Sequence, residues 1–329
     1  MNGHKISENK MADKLGMRIS LKNKLNWDRW AVFALLISAL VLLPIATIVW
    51  LAFFPTENIW PHLVATSLPR YLSNSLIIMG SVAIISSVIG TGCAWMVVTK
   101  EFPMRRTLEW VLLFPLAIPA YIGAYSFVDF WEYAGPAQTF LREWFSWSDS
   151  TNYYFPPVRS LGAAIFVITM SLYPYVYLLA RAAFRDQSSR TFEVSRALGA
   201  GPWRAFWTVS LPLARPAIAI GIALVMMEAL NDFGAVEYFA VQTLTTGIFT
   251  VWLEASNVGG AAQIAMIIFI IVIFLILLER FSRRKMRVHQ RDNQSVVPVR
   301  DKLPTWHGVL VLSRCTLPVL FGFIMPFMI

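Results

Sequence analysis

Long apolar runs separated by short polar connections dominate the hydrophobic pattern of the chain. A helix that crosses a bilayer needs about 20 mainly apolar residues. Runs of this kind cover residues 30–53, 71–98, 108–131, 160–181, 211–232, 261–279 and 306–329. The pattern therefore predicts an all-α integral membrane protein, a polytopic helical bundle with six spans and a seventh terminal span.

Composition and charge narrow the class of protein. Hydrophobic residues make up 57% of the chain and charged residues 14%, against about 25% charged residues in soluble domains. Most of the 28 Lys and Arg precede the first run or lie in the connections 99–107, 181–210 and 280–305. The intervening connections contain Arg70, Arg142 and Arg159. By the positive-inside rule this asymmetry predicts a multi-pass protein with a cytosolic N-terminus, and the net charge of +9 does not indicate a nucleic-acid partner.

The sequence lacks patterns typical of catalytic, metal or nucleotide sites. The histidines stand alone, without the spacing of metal ligands. Cys93 and Cys315 fall inside apolar runs, where they are either lipid-facing or packed thiols. Neither G-x4-G-K-[ST] nor G-x-S-x-G occurs. The sequence therefore predicts no catalytic residue, no metal site and no cofactor bound by this chain.

Small residues recur at helical spacing in two spans. Ser86 and Gly90 lie one turn apart in the second span, and Ala217 and Gly221 do so in the fifth. Such pairs let helix backbones approach closely in lipid, where the hydrophobic effect does not drive helices together. They predict tight helix packing at both places.

Prolines and carboxylates suggest a transport path. Pro115 and Pro119 each remove a backbone hydrogen bond and predict a bent or broken third span, which either lines a path or is a structural kink. Glu228 and Asp232 lie one turn apart at the outer end of the fifth span, and Glu237 follows in the next connection. A carboxylate within a span either faces a polar cavity or makes a structural hydrogen bond.

Two outer connections are unusually apolar. The connection 132–159 is rich in Trp and Tyr, which is typical of an aromatic belt at the membrane interface or of a surface that docks an external partner. The connection 233–260 lacks Lys and Arg. Part of it is apolar enough to re-enter the membrane where other helices cover it.

The segment 193–218 contains more charged, aromatic, glycine and proline residues than a simple link between two spans requires. It contains two Trp, three Arg and three Pro. Residues Glu193 to Leu198 are good helix formers, Gly199 suits a helix end, and Pro202 prevents continuation. The pattern predicts a short helix on the cytosolic surface, held at both ends by spans.

A motif with fixed offsets lies in this segment. Its members are Glu193, Ala197, Leu198, Gly199, Val209, Leu211 and Pro212. Their spacing resembles the EAA loop of ABC-importer permeases, E-A-A-x3-G-x9-I-x-L-P, although Val194 and Ser195 replace the two alanines. The resemblance implies that loop 193–212 is a coupling helix that inserts into a groove on a separate ABC ATPase subunit. ATP is expected on that partner, so the chain itself is not expected to be an enzyme.

Further stretches resemble the iron(III) importer permeases, among them PLAIPAYIGAYSFVDF and DFGAVEYFAVQTLTTGIFTVW. The resemblance implies a type I ABC importer permease in the cell inner membrane, to which a periplasmic substrate-binding protein delivers ferric ion. Because a hard trivalent ion prefers oxygen ligands, the acidic residues suit such a path. The candidate path comprises Glu228, Asp232, Glu237, Tyr238, Pro115 and Pro119. Thiamine, polyamine and sulfate permeases share the EAA loop, and a membrane scaffold or channel without ATP coupling is the alternative of another class.

The resemblance also predicts the organisation of the chain. Iron permeases of this kind resemble two fused six-span halves, each with its own EAA loop. This chain is expected to be the first half plus the first span of an incomplete second half, with a second permease half and membrane lipid as partners. The expected segments are a basic N-terminal segment 1–29, a first helix 30–53, a transmembrane domain 71–280, a basic linker 281–305 and a last span 306–329.

Overall fold

The structure, a computed structural model, describes residues 29–187, 201–284 and 301–328. In chain order the helices are α1 (Arg29–Phe53), α2 (Trp60–Ala65), α3 (Leu68–Thr99), α4 (Arg105–Val111), α5 (Ala120–Trp131), α6 (Pro136–Phe145), α7 (Leu161–Asp186), α8 (Pro202–Ala205), α9 (Leu211–Asn231), α10 (Gly234–Tyr238), α11 (Leu244–Phe249), α12 (Val258–Arg284), α13 (Thr305–Val319) and α14 (Met325–Met328). Single turns of 3₁₀ or π helix lie at Phe114–Ala117, Ser150–Asn152, Phe206–Ser210, Thr250–Glu254 and Leu320–Ile324. The short strands β1 (Lys100–Glu101) and β2 (Asp301–Lys302) pair in parallel.

Six helical segments within the described ranges are long and apolar enough to cross a membrane. They are Trp30–Phe53, Leu68–Thr99, Leu161–Asp186, Trp203–Asn231, Val258–Phe281 and Thr305–Met328. All six overlap runs that the hydrophobic pattern predicts. The prediction of an all-α multi-pass membrane protein is confirmed.

The predicted third span is broken at its paired prolines. The helical segments Arg105–Ala117 and Ala120–Phe145 meet at an angle of 92°. Pro115 lies in the 3₁₀ turn, and Pro119 has extended backbone angles (φ −56°, ψ 142°) directly before α5. Neither proline has an N–H to continue a helical hydrogen-bond ladder, which explains the break. The prediction of a bent or broken helix is confirmed.

The fifth span begins earlier than the sequence pattern predicts. Its apolar run starts at Leu211, whereas the continuous helical segment starts at Trp203. Pro212 and Pro216 cannot donate to the preceding turn, and the turn Phe206–Ser210 adopts π-helical geometry there. The helix can therefore continue through the prolines, which the predicted boundary at Leu211 did not anticipate.

Helix α1 lies mostly in a unit of its own, which ends at Trp50, and the chain from Leu51 onwards forms a second compact unit. Within α1, the described residues form an apolar helix that contains Pro44. A proline is tolerated in a membrane helix because neighbouring groups can satisfy the carbonyl that it frees.

Helix α7 forms the centre of the second unit. Tyr173, Val176 and Tyr177 on its middle turns are fully buried. A Cβ added to Gly90 on α3 would lie 2.9 Å from the Cβ of Val176, and one added to Gly221 on α9 would lie 2.9 Å from its Cα. The helices α3 and α9 thus approach the α7 backbone at glycines, as the small-residue spacing predicts.

The other members of the two small-residue pairs differ from each other. Ser86 on α3 is completely buried, whereas Ala217 on α9 is only half-buried. The buried stripe of α9 instead contains Ala214 and Ile218 together with Gly221. The predicted close approach of α9 is confirmed at Gly221. For Ala217 it stays a prediction.

The connection after α9 folds back onto α3. Leu244, at the start of α11, is fully buried, and its backbone N–H donates a hydrogen bond to Ser75 Oγ at 2.9 Å. Gly247 lies against the ring of Tyr71, where a Cβ would come within 2.5 Å of a ring carbon. Leu244 and Gly247 of this connection are thus covered by the bundle, whereas Phe249, Trp252 and Leu253 remain exposed.

The last span packs against the same core. A Cβ on Gly322 would lie 2.4 Å from the carbonyl oxygen of Met170 on α7, so this π-helical turn touches the α7 backbone. Cys315 on α13 and Cys93 on α3 are both buried free thiols, which settles the alternative between lipid-facing and packed thiols in favour of packing.

Candidate functional site

The ends of several helices meet at one side of the bundle, which we call the basic end. It is formed by the end of α3, the start of α4, the end of α7 and the segment 201–212 that leads into α9. The opposite end is formed by the connections after α5 and after α9. The two ends carry different chemistry, and both contain residues that the sequence analysis singles out.

An aromatic cluster fixes segment 201–212 at the basic end. Phe206 is 7% exposed, and its ring centroid lies 4.9 Å from that of Trp95 on α3 and 6.4 Å from that of Phe184 on α7. Trp203 stacks on Phe206 at 5.7 Å. Aromatic pairs at these distances add about 0.5–1.5 kcal/mol each to the energy of burial. Phe206 therefore anchors the segment to two membrane helices at once.

Two indole rings project from this anchored segment. Trp203 is 64% exposed and Trp207 is 52% exposed, and their ring centroids lie 5.8 Å apart in an edge-to-face arrangement. Tryptophan is enriched at the energetic centres of protein interfaces. Trp203 and Trp207 together form an exposed apolar surface on this segment. Such a surface is suited to a protein partner.

The predicted coupling motif is only partly visible. Glu193, Ala197, Leu198 and Gly199 lie outside the described residues. Val209, Leu211 and Pro212 lie together where the segment enters α9, and Leu211 packs against the main hydrophobic core. Gln187, at the end of α7, donates a hydrogen bond from Nε2 to the carbonyl of Ser210 at 2.8 Å. The described part of the motif is thus tied to α7 as well as to α9.

A charge cluster that no sequence motif indicated lies beside this segment, with a half-buried carboxylate, two buried guanidinium groups and one exposed one. The Glu109 carboxylate on α4 pairs with Arg181, with Arg105 at 3.3 Å and with Arg185 at 3.7 Å. The Glu109 and Arg181 side chains are 16% and 10% exposed. Removing one partner of a buried ion pair costs about 3–5 kcal/mol because the other charge is left uncompensated. The spacing of Arg105 and Glu109 was visible in the sequence, but their contact with α7 was not.

At the opposite end, Asp232 holds a turn together. Its Oδ1 accepts hydrogen bonds from the backbone N–H groups of Ala235 at 3.0 Å and Val236 at 3.2 Å, in the first turn of α10. Its carbonyl accepts a hydrogen bond from Thr245 Oγ1 at 2.8 Å. Burial raises the pKa of the Asp232 carboxyl, and the two backbone hydrogen bonds oppose that rise. The contacts give Asp232 a structural function, and its place in the transport path stays a prediction.

The other acidic path residues lie on the surface of this end. Glu228 on α9 and Glu237 on α10 are both exposed. Tyr238 is half-buried, with its ring centroid 5.8 Å from that of Tyr125 on α5. Arg159 lies over the Tyr238 ring at 5.0 Å and donates a hydrogen bond to the Tyr238 carbonyl at 3.0 Å. The structure therefore brings Tyr238 against the helix that follows the proline break.

Helix α5 contributes a stripe of oxygen-bearing side chains that the sequence analysis missed. Tyr121, Tyr125 and Asp129 are all exposed, whereas Ala124 and Val128 on the other face are buried. The spacing of four residues could have revealed this stripe. An exposed row of phenol and carboxylate groups on a helix packed into a membrane bundle is expected to face water or a partner, because polar groups are costly against lipid.

The prolines of the candidate path occupy different environments. Pro115 is buried, in the 3₁₀ turn, and Pro119 is exposed at the start of α5. Among the described residues, no three His, Cys, Asp or Glu side chains lie close enough to hold a metal ion. The acidic side chains of the candidate path are therefore spread over the surface and do not form a metal-binding cluster among the described residues.

Comparison with known sequences places most of these elements inside one conserved domain. The profile of the family described as binding-protein-dependent transport system inner membrane component matches residues 86–288. The Fe(3+)-transport system permease protein FbpB 2 of Haemophilus influenzae is 29% identical over 218 residues, which span 66% of this chain and 38% of that protein. The molybdenum transport system permease protein ModB of Escherichia coli K12 is 26% identical over 63% of this chain and 90% of its own length. The sulfate transport system permease protein CysT of the same organism is 26% identical over 76% of this chain and 91% of its own length.

Solved structures share the fold. A chain of a bacterial ABC transporter involved in the import of the acidic polysaccharide alginate has a TM-score of 0.62 at 17% identity, over 78% of this chain and 96% of its own. A chain of the MetNI methionine ABC transporter has a TM-score of 0.52 at 17% identity, over 67% of this chain and 96% of its own. At these identities the likeness shows the fold, and the predicted importer-permease bundle is confirmed.

Proposed function

The chain belongs to the family of binding-protein-dependent transport system inner membrane components, and from this premise we propose that it is the membrane subunit through which an ATP-driven importer moves iron(III) into the cell. The observation that carries the proposal is the anchored segment 201–212, which presents Trp203 and Trp207 beside the ends of three membrane helices. A partner that moves this segment also moves those helices. The family match and the relatives that are permeases support this role.

The ATP is proposed to be hydrolysed by ABC ATPase subunits that dock on the exposed tryptophans and on loop 193–212. The basic end then faces the cytosol, which agrees with the excess of Lys and Arg in the connections on that side. The N-terminus is also proposed to lie in the cytosol, because seven Lys and Arg precede the first span. A second permease half is proposed to complete the path, and the bilayer surrounds both.

The cargo is proposed to arrive at the opposite end on a periplasmic substrate-binding protein. The groups exposed there include the phenols and carboxylates of Tyr121, Tyr125, Asp129, Glu228 and Glu237, together with the guanidinium of Arg70. Oxygen donors suit a hard cation such as iron(III). The nearby Arg159 is paired with Glu132 at 3.3 Å, so its charge is offset. One relative is named as an iron(III) permease, which supports the same cargo.

An oxyanion is the second candidate cargo, because relatives named for molybdenum and sulfate match this chain at 26% identity over 90% and 91% of their lengths. A dianion would meet the carboxylates of the opposite end at close range, where like charges repel. The acidic surface therefore favours the cation.

Uptake measurements distinguish the two cargoes. The complete transporter is purified through a tag on this chain, with its native partners, and reconstituted into vesicles. We expect ATP-dependent uptake of radiolabelled iron(III) that depends on the substrate-binding protein. Uptake of molybdate or sulfate without uptake of iron would overturn the iron proposal, and uptake that does not require ATP would overturn the importer proposal itself.

A further inference from the structure

We infer that Glu109 is a positioning residue that transmits the movement of segment 201–212 to the broken helix at Pro115–Pro119. The inference rests on the proposed function, since it assigns to one side chain the link between ATPase movement and the transport path. We call Glu109 with Arg105, Arg181 and Arg185 the Glu109 cluster.

The first step is the backbone connection between α4 and α7. Helix α4 ends at Val111, and the N–H of Leu113 bonds to the carbonyl of Trp110, which leaves the Glu109 carbonyl without that partner. Tyr177 Oη donates a hydrogen bond to the Glu109 carbonyl at 2.9 Å. Tyr173 Oη likewise donates to the Leu112 carbonyl at 3.0 Å. The last turn of α4 is thus completed by side chains of α7.

The second step is the charge connection between the same helices. The Glu109 carboxylate pairs with Arg181 on α7 and, at 3.3 Å, with Arg105 on its own helix. Arg105 is 6% exposed and also contacts Glu101 at 3.5 Å and the Val97 carbonyl at 3.2 Å. A carboxylate surrounded by buried guanidinium groups resists separation from them, because a lone buried charge is unfavourable. The helices α4 and α7 are therefore expected to move together.

The third step connects α7 to segment 201–212. One turn beyond Arg181, Phe184 lies 6.4 Å from Phe206. Gln187 then binds the Ser210 carbonyl at 2.8 Å. A push on segment 201–212 accordingly reaches the end of α7 that contains Arg181.

The fourth step leads from α4 to the path. Only the 3₁₀ turn Phe114–Ala117 separates α4 from the break, and α5 follows at 92° with the exposed stripe Tyr121–Asp129. Displacement of α4 changes the geometry at this break. The Glu109 cluster is the ion-pair contact that joins α4 to α7 among the described residues, so loss of the Glu109 charge should separate ATP hydrolysis from transport while leaving the tyrosine hydrogen bonds in place.

The test compares Glu109→Gln with the wild-type chain in the complete reconstituted transporter. The amide retains the size of the side chain and removes its charge. We expect ATP hydrolysis within about twofold of wild type and a decrease of about tenfold in cargo transported per ATP, in the range usual for coupling between sites. Glu143→Gln, at an exposed position on α6, is the matched control and should leave the ratio unchanged.

A conservative variant separates coupling from stability. If Glu109→Gln does not assemble, Glu109→Asp retains the carboxylate, and it should assemble and recover part of the cargo-to-ATP ratio. A wild-type ratio in Glu109→Gln overturns the inference, as does a Glu109→Asp complex that assembles without any coupling. A wild-type transporter that takes up no cargo with ATP overturns the proposed function instead, which keeps the two failures distinct.

Discussion

Gly90 on α3 lies so close to Val176 on α7 that a methyl group at position 90 would sit 2.9 Å from the valine Cβ and 2.8 Å from the backbone nitrogen of Tyr177. Backbone atoms cannot move aside as a flexible side chain can. The contact therefore sets the separation of the two helices that lie at the centre of the bundle.

Replacement of Gly90 by alanine is predicted to destabilise the protein by about 1–3 kcal/mol, the usual cost of overpacking a tight core. Gly80→Ala, on the same helix, is the matched control, because a Cβ there has no heavy atom within 4 Å. Thermal unfolding in detergent measures both. Equal melting temperatures for the two variants would show that α3 and α7 are not in close contact in the membrane protein.

The exposed indole of Trp203 predicts a binding defect. Trp203→Ala should weaken co-purification of the ATPase subunits by about 2 kcal/mol, or about thirtyfold, as expected for a tryptophan at the centre of an interface. The control is Trp144→Ala, since Trp144 is 73% exposed on α6 at the opposite end of the bundle. A similar loss in both variants would indicate a general defect and would argue against docking at Trp203.

Local patterns in the sequence account for much of this architecture. The apolar runs predict the spans because the bilayer fixes the length of a helix. Pro115 and Pro119 predict the break because proline acts on its own backbone. Gly90 and Gly221 predict close approach because small residues expose the helix surface. In each case the cause lies within a few residues of its effect.

Contacts between distant segments could not be predicted in the same way. Arg181 lies 72 residues beyond Glu109, and nothing in a single sequence pairs the two. Asp232 was interpreted from its charge as part of a path, whereas its position three residues before Ala235 is also the spacing of a helix cap. The motif residues Glu193 and Gly199 lie outside the described residues, so their coupling function stays a prediction.

The half-buried carboxyl of Asp232, just beyond the end of the α9 span, predicts a pH dependence of stability. Burial raises its pKa in the folded state, so the folded protein binds the proton more tightly than the unfolded chain. The stability gained from this group is present below the ordinary pKa of an aspartate and is lost as the pH rises through the raised value.

Asp232→Asn should remove this pH dependence, because an amide does not titrate. The fold should be retained, because the amide oxygen can still accept hydrogen bonds from the N–H groups of Ala235 and Val236. Melting temperatures measured from acidic to neutral pH provide the test. Asp149→Asn is the control with the opposite sign, since hydrogen bonds from Thr151 lower the pKa of the exposed Asp149 carboxyl. Stability of the wild type that increases with pH relative to Asp232→Asn would contradict the prediction.

The phenol of Tyr125 allows the cargo path to be tested with the loss of a single atom. Tyr125→Phe retains the ring contact with Tyr238 at 5.8 Å and removes the oxygen from the exposed stripe on α5. If iron(III) passes this stripe, the variant should transport it more slowly by about twofold to tenfold, which corresponds to the roughly 0.5–1.5 kcal/mol of one polar contact. ATP hydrolysis and assembly should not change, because the Tyr125 hydroxyl makes no hydrogen bond to another side chain or backbone group among the described residues. The control is Tyr154→Phe, which removes a phenol oxygen at a position outside the stripe that is 88% exposed in the outer connection. This variant should transport iron(III) at the wild-type rate. Equal transport rates for the two variants would show that the path does not pass Tyr125.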